Sequence, residues 1–306
     1  MLGSYYHIPV LLKEAIDFLK VNIGGKYIDS TLGGGGHSEE IVKRGGNLLG
    51  IDRDPEAIEF ASKRLENVYN GLPLEIRKKF SPPVFYWGNF TEIDKAAEKF
   101  GFDKVDGILF DLGVSSHQLE TAERGFSFNM PGVLDMRMDP RLAVTARDLI
   151  NVLNEGELYD LFLKLGEEKH ARSIARAVCR ARRIKKIETC DELAEIIIKT
   201  VPPRGPFDRT HPATRVFQAL RIAVNDELNG LKETLPKALD LLKPGGRIVV
   251  LSFHSLEDRI VKVFFREKEK EDALKIIVKS PIKPKKEEVA VNPRSRSAKL
   301  RVAEKI

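Results

Sequence analysis

Two cysteines among 306 residues, Cys179 and Cys190, are too few for a disulfide framework or a four-cysteine zinc site. Their scarcity suits a reducing compartment. No apolar run approaches the roughly 20 residues that a membrane span needs. Residues Met1 to Pro9 carry neither a basic cluster nor an apolar stretch, so no secretory signal is expected. A cytoplasmic protein without a membrane partner follows as an expectation. There is no internal repeat, and the chain has no G-x-x-x-x-G-K-[ST], which removes a P-loop. His7, His37, His117, His170 and His211 are scattered, so no metal site is expected.

Hydrophobic residues make up 42% of the chain, enough for a packed core and too many for a disordered one. Lys plus Arg number 51 against 45 Asp plus Glu, a net charge of +6. The excess is a mild bias toward anionic partners.

Apolar residues recur at helical spacing over Val10–Leu19, and Lys26–Asp29 (KYID) follows as a short strand. A glycine cluster precedes a helical pattern over Ser38–Arg44. Asn47–Asp52 (NLLGID), Val84–Gly88 and Val105–Asp111 read as buried strands, with helices over Pro55–Leu65 and Thr91–Phe100 between them. This alternation specifies an α/β, doubly wound parallel sheet.

The alternation stops at Ser115. Helical patterns then fill Ala146–Leu153, Glu155–Gly166, Lys169–Lys186 and Cys190–Val201, and Pro202–Pro206 reads as a linker. Helices over Thr214–Leu228 and Leu231–Leu242, a turn at Lys243–Gly246 and strands over Arg247–Ser252, Leu274–Lys279 and Leu300–Lys305 resume the α/β pattern, with a helix over Asp258–Arg266. The expected organisation is one α/β domain over residues 1–114 and 208–306, interrupted by an all-helical domain over 115–207. The tail from Lys279 to Lys305, with nine Lys/Arg against three Glu, is expected to be partly flexible.

The strongest local signal is Asp29-Ser-Thr-Leu-Gly33-Gly-Gly-Gly36-His37, between a strand and a helix. Glycines there let the backbone approach a ligand, and a helix N-terminus offers unpaired N–H groups. Gly33-x-Gly35-x-x-Ser38 lacks the third glycine or alanine of a dinucleotide fingerprint. Asp52 ends the second strand about 20 residues further on, where a carboxylate accepts hydrogen bonds from ribose hydroxyls. The alternative, a helix cap, suits Asp54 better, since it immediately precedes Pro55. Loop and acid together indicate an adenosine-bearing cofactor.

Three further features lie past strand ends, where an open α/β sheet collects ligands. Asp111 ends the fourth strand. Phe90 follows the third and either packs an adenine edge or belongs to the core. His254 follows the fifth and either contacts substrate as a proton acceptor or is a hydrogen-bonded structural histidine. In the inserted part, Lys169–Lys186 holds eight Lys/Arg and no Asp/Glu. Lys169, Arg172, Arg176, Arg180 and Arg183 share one helix face, opposite Ala171, Ile174, Val178 and Ala181. A face of one sign is the electrostatic footprint of phosphates.

Long segments resemble the bacterial small-subunit ribosomal RNA cytidine-N4 methyltransferases. They include HIPVLLKEAID from His7, YIDSTLGGGGHS from Tyr27, GIDRDPEAI from Gly50 and VDGILFDLGVSSHQL from Val105. AERGFSF from Ala122, LDMRMDP from Leu134, HPATRVFQALRIAVN from His211, LSFHSLEDRIVK from Leu251 and NPRSRS from Asn292 continue the resemblance in order. It implies a class I (Rossmann-like) methyltransferase domain with an inserted helical substrate domain. It further implies S-adenosyl-L-methionine as cofactor, and the N4 of a cytidine near the decoding centre of 16S ribosomal RNA as target, within the small ribosomal subunit. By matching positions, Gly35, Gly36, His37, Asp52, Phe90, Asp111 and Gln118 would contact the cofactor. Many amino-group methyltransferases carry Asp/Asn/Ser-Pro-Pro-aromatic after strand four, whereas this chain reads Asp111-Leu-Gly-Val114. No Pro-Pro carbonyl is available to hold the amino group, and the candidate acceptors for its N–H groups are Asp111 and His254.

Three rivals are weighed against this reading. A nicotinamide dehydrogenase is opposed by the imperfect fingerprint, and an RNA-binding factor with a vestigial pocket by the intact glycine loop and Asp52. A small-molecule methyltransferase is opposed by the basic helix and the large insertion.

Overall fold

The computed structural model describes residues 9–201 and 211–306, so the proline-rich stretch over 202–206 lies outside the described residues. In chain order the elements begin α1 (Leu12–Leu19), β1 (Lys26–Asp29), α2 (Gly36–Lys43), β2 (Asn47–Asp52), α3 (Pro55–Gly71), α4 (Leu74–Arg77), β3 (Val84–Trp87), α5 (Ile93–Phe100) and β4 (Val105–Asp111). Six helices follow: α6 (Ser116–Glu120), α7 (Ala146–Val152), α8 (Glu155–Gly166), α9 (Ala171–Ile184), α10 (Cys190–Thr200) and α11 (Thr214–Asn225). The chain then runs α12 (Glu227–Leu241), β5 (Leu242–Ser252), α13 (Ser255–Lys270), β6 (Leu274–Ile276), α14 (Lys286–Val291) and β7 (Lys299–Lys305).

Seven strands form one sheet in the order β3-β2-β1-β4-β5-β7-β6. The first five are parallel, and β7 runs antiparallel to both β5 and β6. The expected all-parallel sheet is thus corrected at one edge, where the last strand returns between β5 and β6. Both faces are covered, so the strands are apolar throughout rather than alternating with polar residues. Tyr27, Leu48, Leu109, Val249 and Val302 pack on one face with α1. Their chain neighbours Ile28, Leu49, Ile108, Val250 and Ala303 pack on the other. That split is the two-residue period of a strand, read on both sides.

Two sequence expectations fail locally. Lys243–Gly246 is a bulge inside β5: Val105 pairs with Leu242 and Gly107 with Arg247, so Asp106 alone faces the four residues 243–246. Gly245 takes φ +78° there, and Lys243 closes the bulge on Asp106 at 3.1 Å. The tail expected to be partly flexible is instead ordered. α14, a short 3-10 turn over Pro293–Ser297 and β7 fill it, and Ile282 and Leu300 exchange backbone hydrogen bonds of 3.0 and 2.9 Å.

Two compact units result: residues up to Ser115 with Leu228–Ile306, and Ser116–Glu227. The second crossing therefore falls at Glu227 rather than at the expected 207/208. The reason is α11, which packs on α8. A Cβ on Gly166 would lie 2.6 Å from the Arg215 carbonyl oxygen, so glycine permits that approach. Gln218 also donates to the Leu165 carbonyl at 3.3 Å. Inside this unit the segment from Leu134 to Pro140 is folded on itself. Arg137 grips Asp135 through two 2.8 Å hydrogen bonds. Buried Asn225 donates to the Met136 carbonyl and accepts from Met138 N–H, both at 2.8 Å.

Candidate active site

Three apolar strands end in aspartate: Asp29, Asp52 and Asp111. Parallel register brings β1, β2 and β4 together, so these carboxylates stand in a row at the carboxyl edge of the sheet. The glycine turn starts there. Gly33 (φ +48°) and Gly35 (φ +74°) adopt left-handed backbone, and α2 begins at Gly36. A Cβ on Gly35 would stand 3.2 Å from Ala61 Cβ, and one on Gly36 would collide with Pro9. Glycine at 35 and 36 therefore also serves close packing.

Asp52 helps to hold this turn. Its Oδ2 accepts from Gly33 N–H at 2.7 Å and its Oδ1 from Asp54 N–H at 2.9 Å. Asp54 caps α3 through Glu56 N–H at 3.1 Å, as its position before Pro55 suggests. Asp52 stays half-buried, with lone pairs left for ribose hydroxyls. Trp87, its cross-strand partner on β3, is 46% exposed.

Asp29 was not singled out from sequence, although it shares the strand-ending signal of Asp52 and Asp111. It is 1% exposed and accepts from Ser38 Oγ–H at 2.7 Å and Thr31 N–H at 3.2 Å. Burial pushes its carboxyl up to about 6, and the Asp52 charge adds to this against the two hydrogen bonds. Burial likewise raises Asp52, and raises Asp111 well above the carboxylate range, with Asp29 and Glu257 adding repulsion.

His37 meets Asp111 directly. Its Nε2 lies 3.1 Å from the Val10 carbonyl oxygen and its Nδ1 3.4 Å from Asp111 Oδ2. A carbonyl only accepts, so Nε2 carries a proton. A bare Nδ1 lone pair against a carboxylate oxygen would be repulsive, so the contact favours a proton on one of the two atoms. A proton shared between these two atoms would satisfy both. Asp111 Oδ1 is buried and has no hydrogen-bond partner among the described residues, as are the hydroxyls of Ser30 and Ser252, which follow β1 and end β5. Neither serine was singled out from sequence. The signal that marks them is a small polar residue at the end of a buried strand.

Phe90 sits in the core, edge-on to Phe110 at 6.3 Å, with the Arg53 guanidinium 5.1 Å over its ring. His254 caps α13. Its Nδ1 accepts from Glu257 N–H at 3.4 Å and its Nε2 lies 3.1 Å from Glu257 Oε1. That nitrogen is buried and makes no hydrogen bond among the described residues, so the ring is fixed on one side only and both readings left open for it stand. Gln118 is buried on α6, in the helical unit.

In the helical unit, α9 buries Ala171, Ile174, Ala175 and Val178 and exposes Arg172, Arg176, Arg180 and Arg183. Arg172 stacks 5.1 Å over Tyr159, and Arg176 lies 3.5 Å from Glu155. Arg180 and Arg183 make no ion pair among the described residues. Arg182 turns inward to the carbonyls of Ile150 and Leu153 and belongs to the packing.

The site suits a cationic adenosine cofactor. It offers a half-buried carboxylate for the ribose, buried acceptors without partners, and an acidic ring whose mutual repulsion a sulfonium and an ammonium would relieve. A doubly wound sheet in this strand order, with such a site at its carboxyl edge, defines a class I S-adenosylmethionine-dependent methyltransferase. The chain belongs to the MraW methylase family, whose model matches residues 4–306. A protein named ribosomal RNA small subunit methyltransferase H in Carboxydothermus hydrogenoformans is 48% identical, covering 99% of each chain. Its namesake in Halothermothrix orenii is also 48% identical over 98% of each. Among solved structures, an rRNA methylase from Streptococcus thermophilus covers 98% of this chain and 99% of its own, at 11% identity and a TM-score of 0.46. Family membership removes the dehydrogenase alternative.

Proposed function

We propose that this methyltransferase modifies small-subunit (16S) ribosomal RNA in the cytoplasm, at the exocyclic N4 of a cytidine near the decoding centre. The observation that carries the chemistry is Asp111: a strand-end carboxyl that lies 3.4 Å from His37 Nδ1 and keeps one buried oxygen without a partner among the described residues. The substrate class rests on the relatives and on the basic face of α9.

When bound, S-adenosylmethionine supplies an electrophilic methyl group. The unit built on the sheet holds that cofactor. Asp52 takes the ribose hydroxyls, and Gly35, Gly36, His37 and Phe90 complete this unit's share of the cofactor site by the family pattern. Asp111 Oδ1 accepts one amino N–H of the cytosine and orients the nitrogen lone pair for in-line attack. After transfer, the amino proton passes to Asp111, and His37 Nδ1, 3.4 Å from Oδ2, can accept a proton from that carboxyl in turn. His254, capping α13 with a buried Nε2 that makes no hydrogen bond among the described residues, is the second acceptor for the amino group. The helical unit grips the RNA backbone through Arg172, Arg176, Arg180 and Arg183, and the target base is splayed out of its stack to reach the crevice.

The test is transfer of labelled methyl from S-adenosylmethionine to small ribosomal subunits, beside free 16S transcript. Label on either RNA, abolished by Asp52→Ala, supports the reading. Cofactor binding without label on any ribosomal RNA would sink it.

A further inference from the structure

The carboxyl-terminal motif Asn292–Ser297 is not used by the site just described, yet the segment around it is folded and strongly basic. Lys279, Lys283, Lys285, Lys286, Arg294 and Arg296 are all exposed. Lys283, Lys285, Lys286 and Arg296 make no ion pair among the described residues. The segment's acids do little to offset them. Glu288 is spent on Leu11 N–H at 2.7 Å, and only Glu287 stands exposed. The next two cations of the chain behave differently: Lys299 and Arg301 turn inward onto Asp258 at 3.0 and 2.6 Å. Inward and outward cations are thus sorted along one short stretch.

The outward ones stand on a fixed support. Asn292 and Ser295 are buried, and Ser295 Oγ–H closes on the Asn292 carbonyl at 2.7 Å. That support is also tied to the reaction site. Glu288 on α14 holds the backbone of Leu11, the neighbouring Val10 carbonyl accepts from His37, and His37 Nδ1 lies 3.4 Å from Asp111 Oδ2. A solvated tail would need neither the buried anchors nor this tether.

We propose that residues 279–298 form a phosphate-binding surface on the catalytic unit, which holds the RNA backbone of the substrate next to the reacting base. The inference rests on the ribosomal RNA reading above. RNA fits better than an acidic protein because the cations without ion pairs, Lys283, Lys285, Lys286 and Arg296, are of one sign on a fixed support, the electrostatic footprint of a phosphate backbone.

The experiment compares the wild-type protein with Lys283→Ala/Lys285→Ala/Lys286→Ala/Arg296→Ala and with the same four positions exchanged Lys↔Arg. Binding of a 16S transcript and of small subunits is measured across salt concentrations. The alanine protein should lose about tenfold or more in RNA affinity at low salt, and its log-log salt slope should be shallower by about 3, near 0.7–0.9 per lost contact. The Lys↔Arg protein should retain both. Melting temperature and the Trp87 fluorescence response to S-adenosylmethionine should match the wild type. Unchanged RNA affinity and slope in the alanine protein overturn the inference alone. Loss of subunit binding with intact transcript binding overturns it too, in favour of an acidic protein contact. Salt-insensitive or absent RNA binding by the wild type overturns the inference together with the proposed function.

Discussion

Asp29→Asn isolates the acidic strain of the site. In the wild type, a carboxyl held at about 6 rather than 3.8 costs stability whenever it is ionised in the folded state. The shift corresponds to about 3 kcal/mol. The sign follows from proton counts. Between pH 3.8 and 6 the folded state binds more protons than the unfolded one, so stability falls as pH rises through that window. The cost is absent below it and complete above it. Asparagine removes the charge and keeps the bonds, since its Oδ1 accepts from Thr31 N–H and its Nδ2 donates to Ser38 Oγ. Urea unfolding should show the variant more stable by up to about 3 kcal/mol at pH 7.5 and equal to the wild type near pH 4. Its affinity for S-adenosylmethionine, read by Trp87, should fall, because a carboxylate facing a cation is lost. A variant that is equally or less stable at pH 7.5 would refute the account of the acidic ring.

Other outcomes follow from the same geometry. Asp111→Asn should lower the methyl-transfer rate by about 10²-fold or more, as expected for loss of a positioned acid–base group. His37→Gln removes the proton partner of Asp111, so the acid limb of the kcat profile should move to higher pH. Arg172→Ala/Arg176→Ala/Arg180→Ala should weaken RNA binding and leave cofactor binding intact. Parallel loss of both would indicate misfolding instead. Asn225→Ala strands the Met136 and Met138 backbone groups and should cost about 2–3 kcal/mol in urea unfolding.

Much of the fold was legible because each element carried a local signal. KYID, NLLGID and VDGILFD are strands with the expected bounds, since a sheet buried on both faces needs uninterrupted apolar runs. The antiparallel return of β7, the bulge at Lys243–Gly246 and the assignment of α11 to the helical unit were not legible. Each depends on a partner distant in sequence: β5 and β6 for the first, Asp106 for the second, Gly166 for the third. In the site, Asp52 and Asp111 were visible as strand-ending acids. The His37–Asp111 pair was not, because it requires the Val10 carbonyl to fix the tautomer. Asn225 and Asp135 stood within family-like motifs, and their visible work is to fold the Leu134–Pro140 segment.

The most direct test of the central claim is nucleoside mass spectrometry of 16S ribosomal RNA from a strain lacking this protein, complemented with the wild type or with Asp111→Asn. The account predicts N4-methylated cytidine with the wild type and its loss with Asp111→Asn. Methylation of a different nucleoside, or full N4-methylcytidine with Asp111→Asn, would contradict it.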